Sequence, residues 1–357
     1  MRIAMIGPDL EAQGGIATLA RTFIQAQAMD GVEIRYFPTV GEGSKLKKAA
    51  QMARGQKNFL QGVLGDWRPD IVHIHVADGV SFYRKMVYFE QARAMGLPVI
   101  LHNNFAFLED LVAKSPVHEN LVRRAYSQAT QVHVVSHDMA RNISEWTHGA
   151  ANIKVLFNPV PAKSIPYPGP RGAKESPIVL FMGRVGERKG IFDLIRALPE
   201  VSARVPKMRL RVGGDGDIVK LNQEIATNNL EPHVEVLGWI SGQDKLDAYT
   251  TADVYCLPSY AEGLPISVLE AMAAGLPVVS TTANGIPDAV LDGETGLLFQ
   301  AGDIGAMAEH LVTLLTDPKL RDTMGTAGRE RVEQVFDGEI LAKTLRGYWK
   351  EALQVQP

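Results

Sequence analysis

The chain has 357 residues, of which 46% are hydrophobic and 22% charged, with 37 Lys and Arg set against 40 Asp and Glu. That length exceeds one typical core and fits two domains, and the composition excludes a disordered or fibrous chain. A formal net charge of -3 excludes a broadly basic surface for nucleic acid.

In chain order, MRIAMIGPDL opens as a short apolar strand, without the longer apolar core or cleavage site of a secretory signal. A helix is expected from Ile16 to Met29, then the strand VEIRYFP. Next comes KLKKAAQMARGQK, residues 45–57, a basic stretch interleaved with Leu46, Met52 and alanines. It fits a solvated helix face or a peripheral contact with anionic headgroups. The strands IVHIHVA, PVILHN and QVHVVS follow, alternating with helical segments as parallel β-α-β units do. The proline-rich stretch 159–177 predicts an extended connector. Beyond it the pattern restarts with IVLFMG, a helix from Ile191 to Val201, RLRVGG, HVEVLG, DVYCLP, PVVST and GLLF. The fold class is α/β, two doubly wound domains spanning 1–165 and 166–338, with a closing helix at about 339–357 expected to pack back on the first. Cys256, the single cysteine, permits no intrachain disulfide, and its apolar run predicts a buried thiol. No apolar run is long enough to span a bilayer. Together these features predict a protein of the reducing cytoplasm.

Ligands of open α/β sheets bind beyond the carboxyl ends of the strands. In MGRVGERKG, residues 182–190, Arg184 and Lys189 stand in a loop between Gly183 and a helix. Two cations beside close-approaching backbone and a helix N-terminus suit a diphosphate, although an exposed basic loop would read the same. In AEGLPISVLE, residues 261–270, a turn precedes a helix with Pro265 expected at its first helical position. Gly275 and Pro277 are its stop signals. The backbone from Gly263 through Leu264 and Pro265 to Ile266 can face a phosphate with its N–H groups, as helix N-termini do, Pro265 alone having none to offer. Glu262 and Glu270 are carboxylates suited to paired hydroxyls, Glu270 on a ribose and Glu262 on a sugar. In the first domain, Gly14 and Gly15 precede a helix, either as a tight turn or to let backbone approach a phosphate or acceptor hydroxyl. His73 and His75 share one face of a strand, but no further ligand set is recognisable and no metal site is expected. Ser136 and His137 fall at a strand end as candidates for the acceptor side.

These motifs together resemble glycosyltransferase family 4, of GT-B architecture. The resemblance rests on two glutamates seven residues apart within PSYAEGLPISVLEAMAAGLPVVST, then on GRVGERKG, GDG, ANGIPDAV and DGETGLLF in the family's order. It implies two Rossmann-like domains facing across a cleft, the first on the acceptor side. It also implies a retaining, metal-independent transferase with no obligatory cofactor and a UDP- or GDP-linked sugar as donor. By that resemblance Arg184 and Lys189 neutralise the diphosphate leaving group, Glu270 binds ribose, and Glu262 and His102 lie beside the donor sugar. The base would sit against backbone from Leu237 and Gly238 to Ile240, and Gly14 and Gly15 near the donor phosphate. Asn158 falls where the family has Asn-Gly-Val, with Pro159 in place of the glycine. The acceptor is expected to be a glycan or polyprenyl-linked glycan in bacterial-type polysaccharide synthesis, at the inner face of the membrane. An epimerase, a catalytically silent nucleotide-sugar-binding protein and a nicotinamide-dependent oxidoreductase, suggested by VGGDGD at 212–217, are the alternatives.

Overall fold

Apolar runs buried on both sides form the inner strands, as parallel strands covered by helices require, while the edge strands are partly exposed. The computed structural model describes residues 1–12, 15–26, 29–39, 45–77, 79–104 and 115–354, with side chains left undescribed at 45–49 and 80. The chain divides into two compact units, Met1–Pro159 with Gly338–Pro357, and Val160–Asp337.

Unit 1 carries β1 (Arg2–Gly7), β2 (Glu33–Pro38), β3 (Ile71–Val76), β4 (Val99–Asn103), β5 (Gln131–Val134) and β6 (Ile153–Val155). They form one sheet in the order β2-β1-β3-β4-β5-β6, and every pairing is parallel. The first helix, expected to reach Met29, spans Gly15–Gln25. It closes where the Ala26 amide bonds to the Phe23 carbonyl, a tighter turn than the helix above it. The closing helix is Gly338–Gln354. Its Leu341, Ala342, Leu345, Trp349 and Ala352 lie in one core with Leu19, Phe23, Ile71 and Ile100. The Tyr348 hydroxyl donates to the Val155 carbonyl at 3.1 Å. Trp349 is wholly buried, so Trp349→Ala should cost about 3–5 kcal/mol in chemical denaturation followed by circular dichroism. A loss below about 1 kcal/mol would mean that the helix contributes little to this core.

Unit 2 carries β7 (Ile178–Met182), β8 (Arg209–Gly213), β9 (Val234–Gly238), β10 (Val254–Leu257), β11 (Val278–Thr281) and β12 (Gly296–Phe299). Its order, β12-β11-β10-β7-β8-β9, is the 3-2-1-4-5-6 arrangement of dinucleotide-binding sheets, with the reversal between β7 and β10. The helix after β7 runs from Ile191 to Arg204, three residues past the expected end and with Pro199 inside it. The stretch 160–177 is not a free connector. Arg171 donates to the carbonyls of Ala274 and Gly275, and Arg329 to those of Ala162, Ile165 and Ala273, so the chain is strapped onto unit 2. Cys256 is fully buried, and burial pushes its thiol pKa up. Among the described residues no helix is long and apolar enough to cross a membrane.

Candidate active site

The loops that follow β7 and β10 flank the strand reversal of unit 2, the position where such sheets open a ligand crevice. The β7 loop begins at Gly183, whose amide bonds the Gly213 carbonyl, and Val185 bonds Asp215 in the same way. A Cβ at Gly214 would lie 1.9 Å from the Gly183 oxygen, and one at Gly216 would lie 2.2 Å from that of Val185. The glycines of GDG are therefore there for loop contact, which explains VGGDGD without a dinucleotide fingerprint. The β7 loop closes on Gly190, in the left-handed region at φ 68°. A Cβ there would sit 1.9 Å from the Pro258 oxygen, so glycine brings the two loops together. Ser259 Oγ and the Tyr260 amide both donate to the Arg188 carbonyl.

Across this joint Lys189 Nζ donates to Glu262 Oε1 at 2.5 Å, with both side chains largely withdrawn from water. Arg184 is exposed and has no ionic or hydrogen-bond partner among the described residues. Among the described residues the β7 loop thus carries Arg184 without an ionic partner and Lys189 in a neutralised pair.

The helix after the β10 loop is Ile266–Ala273. Pro265 caps it with extended backbone, φ -73° and ψ 115°, one position earlier than expected. At the other end the Gly275 amide bonds Met272 and the Leu276 amide bonds Ala271, a Schellman closure with Gly275 at φ 74°. Glu270 is buried within this helix. Lys245 Nζ donates to its Oε1 at 2.6 Å and the Tyr249 hydroxyl to its Oε2 at 2.9 Å. Burial, reinforced by the Glu270 charge, raises the Tyr249 pKa, so the hydroxyl stays a donor. Neither Lys245 nor Tyr249 was singled out from sequence. Their spacing of four on the helix Gly242–Thr251 is the signal that was available. Beyond β9, Gly238 takes φ 67° and its carbonyl accepts from the Gly214 amide, while Trp239 is exposed. Ile240 Cδ1 lies 3.5 Å from the position a Cβ would take on Gly213. Unit 2 therefore gathers Gly183, Arg184, Lys189, Leu237–Ile240, Glu262–Ile266 and Glu270 at the carboxyl edge of its sheet.

In unit 1, Gly14 lies outside the described residues, and Gly15 is the exposed first residue of its helix. Ser136 is no free strand-end hydroxyl. Its Oγ caps the helix His137–Trp146 by accepting from the Met139 amide, and the His137 ring packs against Phe157. His102 is wholly buried on β4, aligned with His75 on β3 and His133 on β5. His73, two residues before His75, joins them, with its Nε2 3.1 Å from His102 Nδ1. The ring nitrogens of His73, His75 and His102 lie within 4.8 Å of one another. Trp349 Nε1 donates to His73 Nδ1 at 3.0 Å. An indole only donates, so the neutral His73 ring carries its proton on Nε2 and offers no lone pair there to a metal.

Two doubly wound parallel sheets, one carrying a cationic joint at its strand reversal, define a GT-B fold. Residues 10–159 match the family model described as glycosyl transferase 4-like domain, and residues 169–331 match glycosyl transferases group 1. The chain belongs to the family 4 type of glycosyltransferases. It is 34% identical over 177 residues to a GDP-mannose-dependent monoacylated alpha-(1-6)-phosphatidylinositol monomannoside mannosyltransferase of Corynebacterium glutamicum, an alignment covering 48% of this chain and 46% of the relative. The chain thus spans less than half the length of that relative. Among solved structures it is similar to sucrose-phosphate synthase of Thermosynechococcus elongatus, with TM-score 0.83, 21% identity and 99% of both chains covered. It is also similar to Anabaena Alr3699/HepE in complex with UDP and glucose, with TM-score 0.77, 18% identity and coverage of 98% and 100%.

Proposed function

We propose that this protein is a retaining, metal-independent glycosyltransferase. It would move a sugar from a UDP- or GDP-linked donor to a glycan or polyprenyl-linked acceptor in polysaccharide or glycoconjugate synthesis. The observation that carries the reading is the joint at the strand reversal of unit 2, where one loop carries Lys189, paired with Glu262, and Arg184, which has no ionic partner among the described residues. In this reading Arg184 and Lys189 stabilise the charge that grows on the diphosphate as the anomeric bond breaks. Glu270, oriented by Lys245 and Tyr249, accepts from the ribose hydroxyls, the backbone from Leu237 to Ile240 faces the base, and Glu262 orients the sugar. In unit 1, His102 serves the donor sugar, and Gly14 and Gly15 a phosphate or acceptor oxygen. The acceptor attacks the face from which the diphosphate leaves, and the departing phosphate takes its proton, so no glycosidase-type carboxylate pair is required.

Relatives support this reading by what their names state, GDP-mannose in the corynebacterial transferase and UDP with glucose in the Anabaena protein. None of these names is that of an epimerase. A lipid-linked acceptor at the inner membrane face fits the helix Lys45–Leu64, where Arg54 and Lys57 are exposed.

The test is thermal stabilisation by UDP, GDP, ADP and NADH of the wild type and of Glu270→Ala. One nucleoside diphosphate at a hundredfold excess over its Kd should stabilise the wild type by about 2.7 kcal/mol and the variant much less. Stabilisation by NADH alone would reject the transferase reading.

A further inference from the structure

Two of the four buried histidines of unit 1, His73 and His102, form an ordered hydrogen-bond chain that starts at the closing helix. Trp349 Nε1 lies 3.0 Å from His73 Nδ1, and His73 Nε2 lies 3.1 Å from His102 Nδ1. Both are ordinary hydrogen-bond lengths. Because indole can only donate, His73 Nδ1 must accept, and a neutral His73 then donates from Nε2. His102 Nδ1 must accept in turn, which leaves the His102 proton on Nε2. That nitrogen is buried and has no partner among the described residues. A buried N–H without an acceptor is a costly arrangement, of a kind retained where a ligand supplies the missing oxygen.

We propose that Trp349 and His73 are positioning residues that fix His102 as a neutral imidazole with its proton on Nε2. His102 is thereby a hydrogen-bond donor at the end of β4 and cannot act as a base through that nitrogen. On the transferase reading above, on which this last step alone rests, the N–H is offered to an oxygen of the donor sugar. The groups packed around the relay favour the neutral form. The rings of His75 and His133 lie 4.9 and 5.8 Å from His102. Burial holds the pKa of His73 well below its usual value and that of His102 down at about 3. The Lys85 charge acts on His75 in the same direction.

The experiment is two-bond proton–nitrogen correlation of the full chain labelled with ¹⁵N-histidine at pH 7.5, with the His102 signals assigned by their loss in His102→Gln. In the wild type both His73 and His102 should show the Nε2–H tautomer. In Trp349→Phe, His102 should become a mixture of tautomers. A His102 proton on Nδ1 in the wild type, or an unchanged His102 pattern in folded Trp349→Phe, would overturn the relay. A second pair covers the case in which that variant does not fold. His73→Gln can still donate to His102 Nδ1 and should keep the Nε2–H tautomer, whereas His73→Leu should release it. Identical patterns in the two would also overturn the proposal. None of these spectra needs a nucleotide, so failure of the transferase reading, seen as absent nucleotide stabilisation, is distinguishable from failure of the relay.

Discussion

Acidification from pH 7 to pH 5.5 is expected to remove on the order of 5 kcal/mol of stability from unit 1. His73, His75, His102 and His133 are all wholly buried there. Burial is the leading cause that holds each pKa below the usual 6.5, with the neighbouring imidazoles and Lys85 or Lys154 adding to it at His75 and His133. The unfolded chain protonates near 6.5, so below that pH the unfolded state binds protons that the folded state refuses. Stability is therefore full above about pH 6.5 and falls as the pH drops. The loss is about 1.4 kcal/mol per histidine per pH unit. For His102 it continues to a pH of about 3, where the folded form protonates as well. The histidines of unit 2, His233 and His310, are only half-buried. Hydrogen exchange resolved by peptide should thus show the strands of unit 1 losing protection before those of unit 2 as the pH is lowered. Equal loss in both units would mean that the four imidazoles are solvated or already charged in the native state.

Lys189→Ala is expected to lower kcat/KM by about 10²–10³, the cost of removing one preorganised donor from a developing anion. The same change strands the Glu262 carboxylate, which is 6% exposed, without its cation. Removing one partner of a buried pair destabilises because a charge is left uncompensated, whereas neutralising both is far milder. Lys189→Met should therefore lower both Tm and turnover, and the double variant Lys189→Met with Glu262→Gln should recover Tm without recovering turnover. Melting curves and steady-state kinetics, with whichever nucleotide sugar stabilises the wild type, separate the two effects. Recovery of turnover in the double variant would show that the ammonium serves the carboxylate and not the leaving group.

The fold class was legible because parallel strands buried on both faces are written as short apolar runs, such as IAMIG and IVLFMG. The strand β6 was not read, since IKV is three half-buried residues with no pattern of their own. Helix ends at Gln25 and Arg204 depend on tertiary packing, and sequence periodicity placed neither of them. At the site, Lys189 and Glu262 were visible as residue types in glycine-bearing loops, and Glu270 as a carboxylate in the helix that follows. What they touch was not. Lys189 and Glu262 are 73 positions apart, and the partners of Glu270 come from a helix whose Lys245 and Tyr249 carry no motif. His73 and His75 could be placed on one strand face, but their joining to His102 and His133 is set by strand register, and Trp349 reaches His73 from 276 positions away.

That last separation bears on how the molecule is made. Unit 2 is a continuous stretch of chain, whereas unit 1 is interrupted at Pro159 and resumes at Gly338. During synthesis the first unit to leave the ribosome is therefore the last that can be finished. Until Trp349 emerges, the apolar face around Leu19, Phe23, Ile71 and Ile100 lacks its closing helix. Domains generally fold in the order they are made, but here the later unit can mature while the earlier one waits, open to chaperones and proteases. A nascent chain stalled at Asp337 would carry all of unit 2 tethered to a unit 1 that still lacks its closing helix.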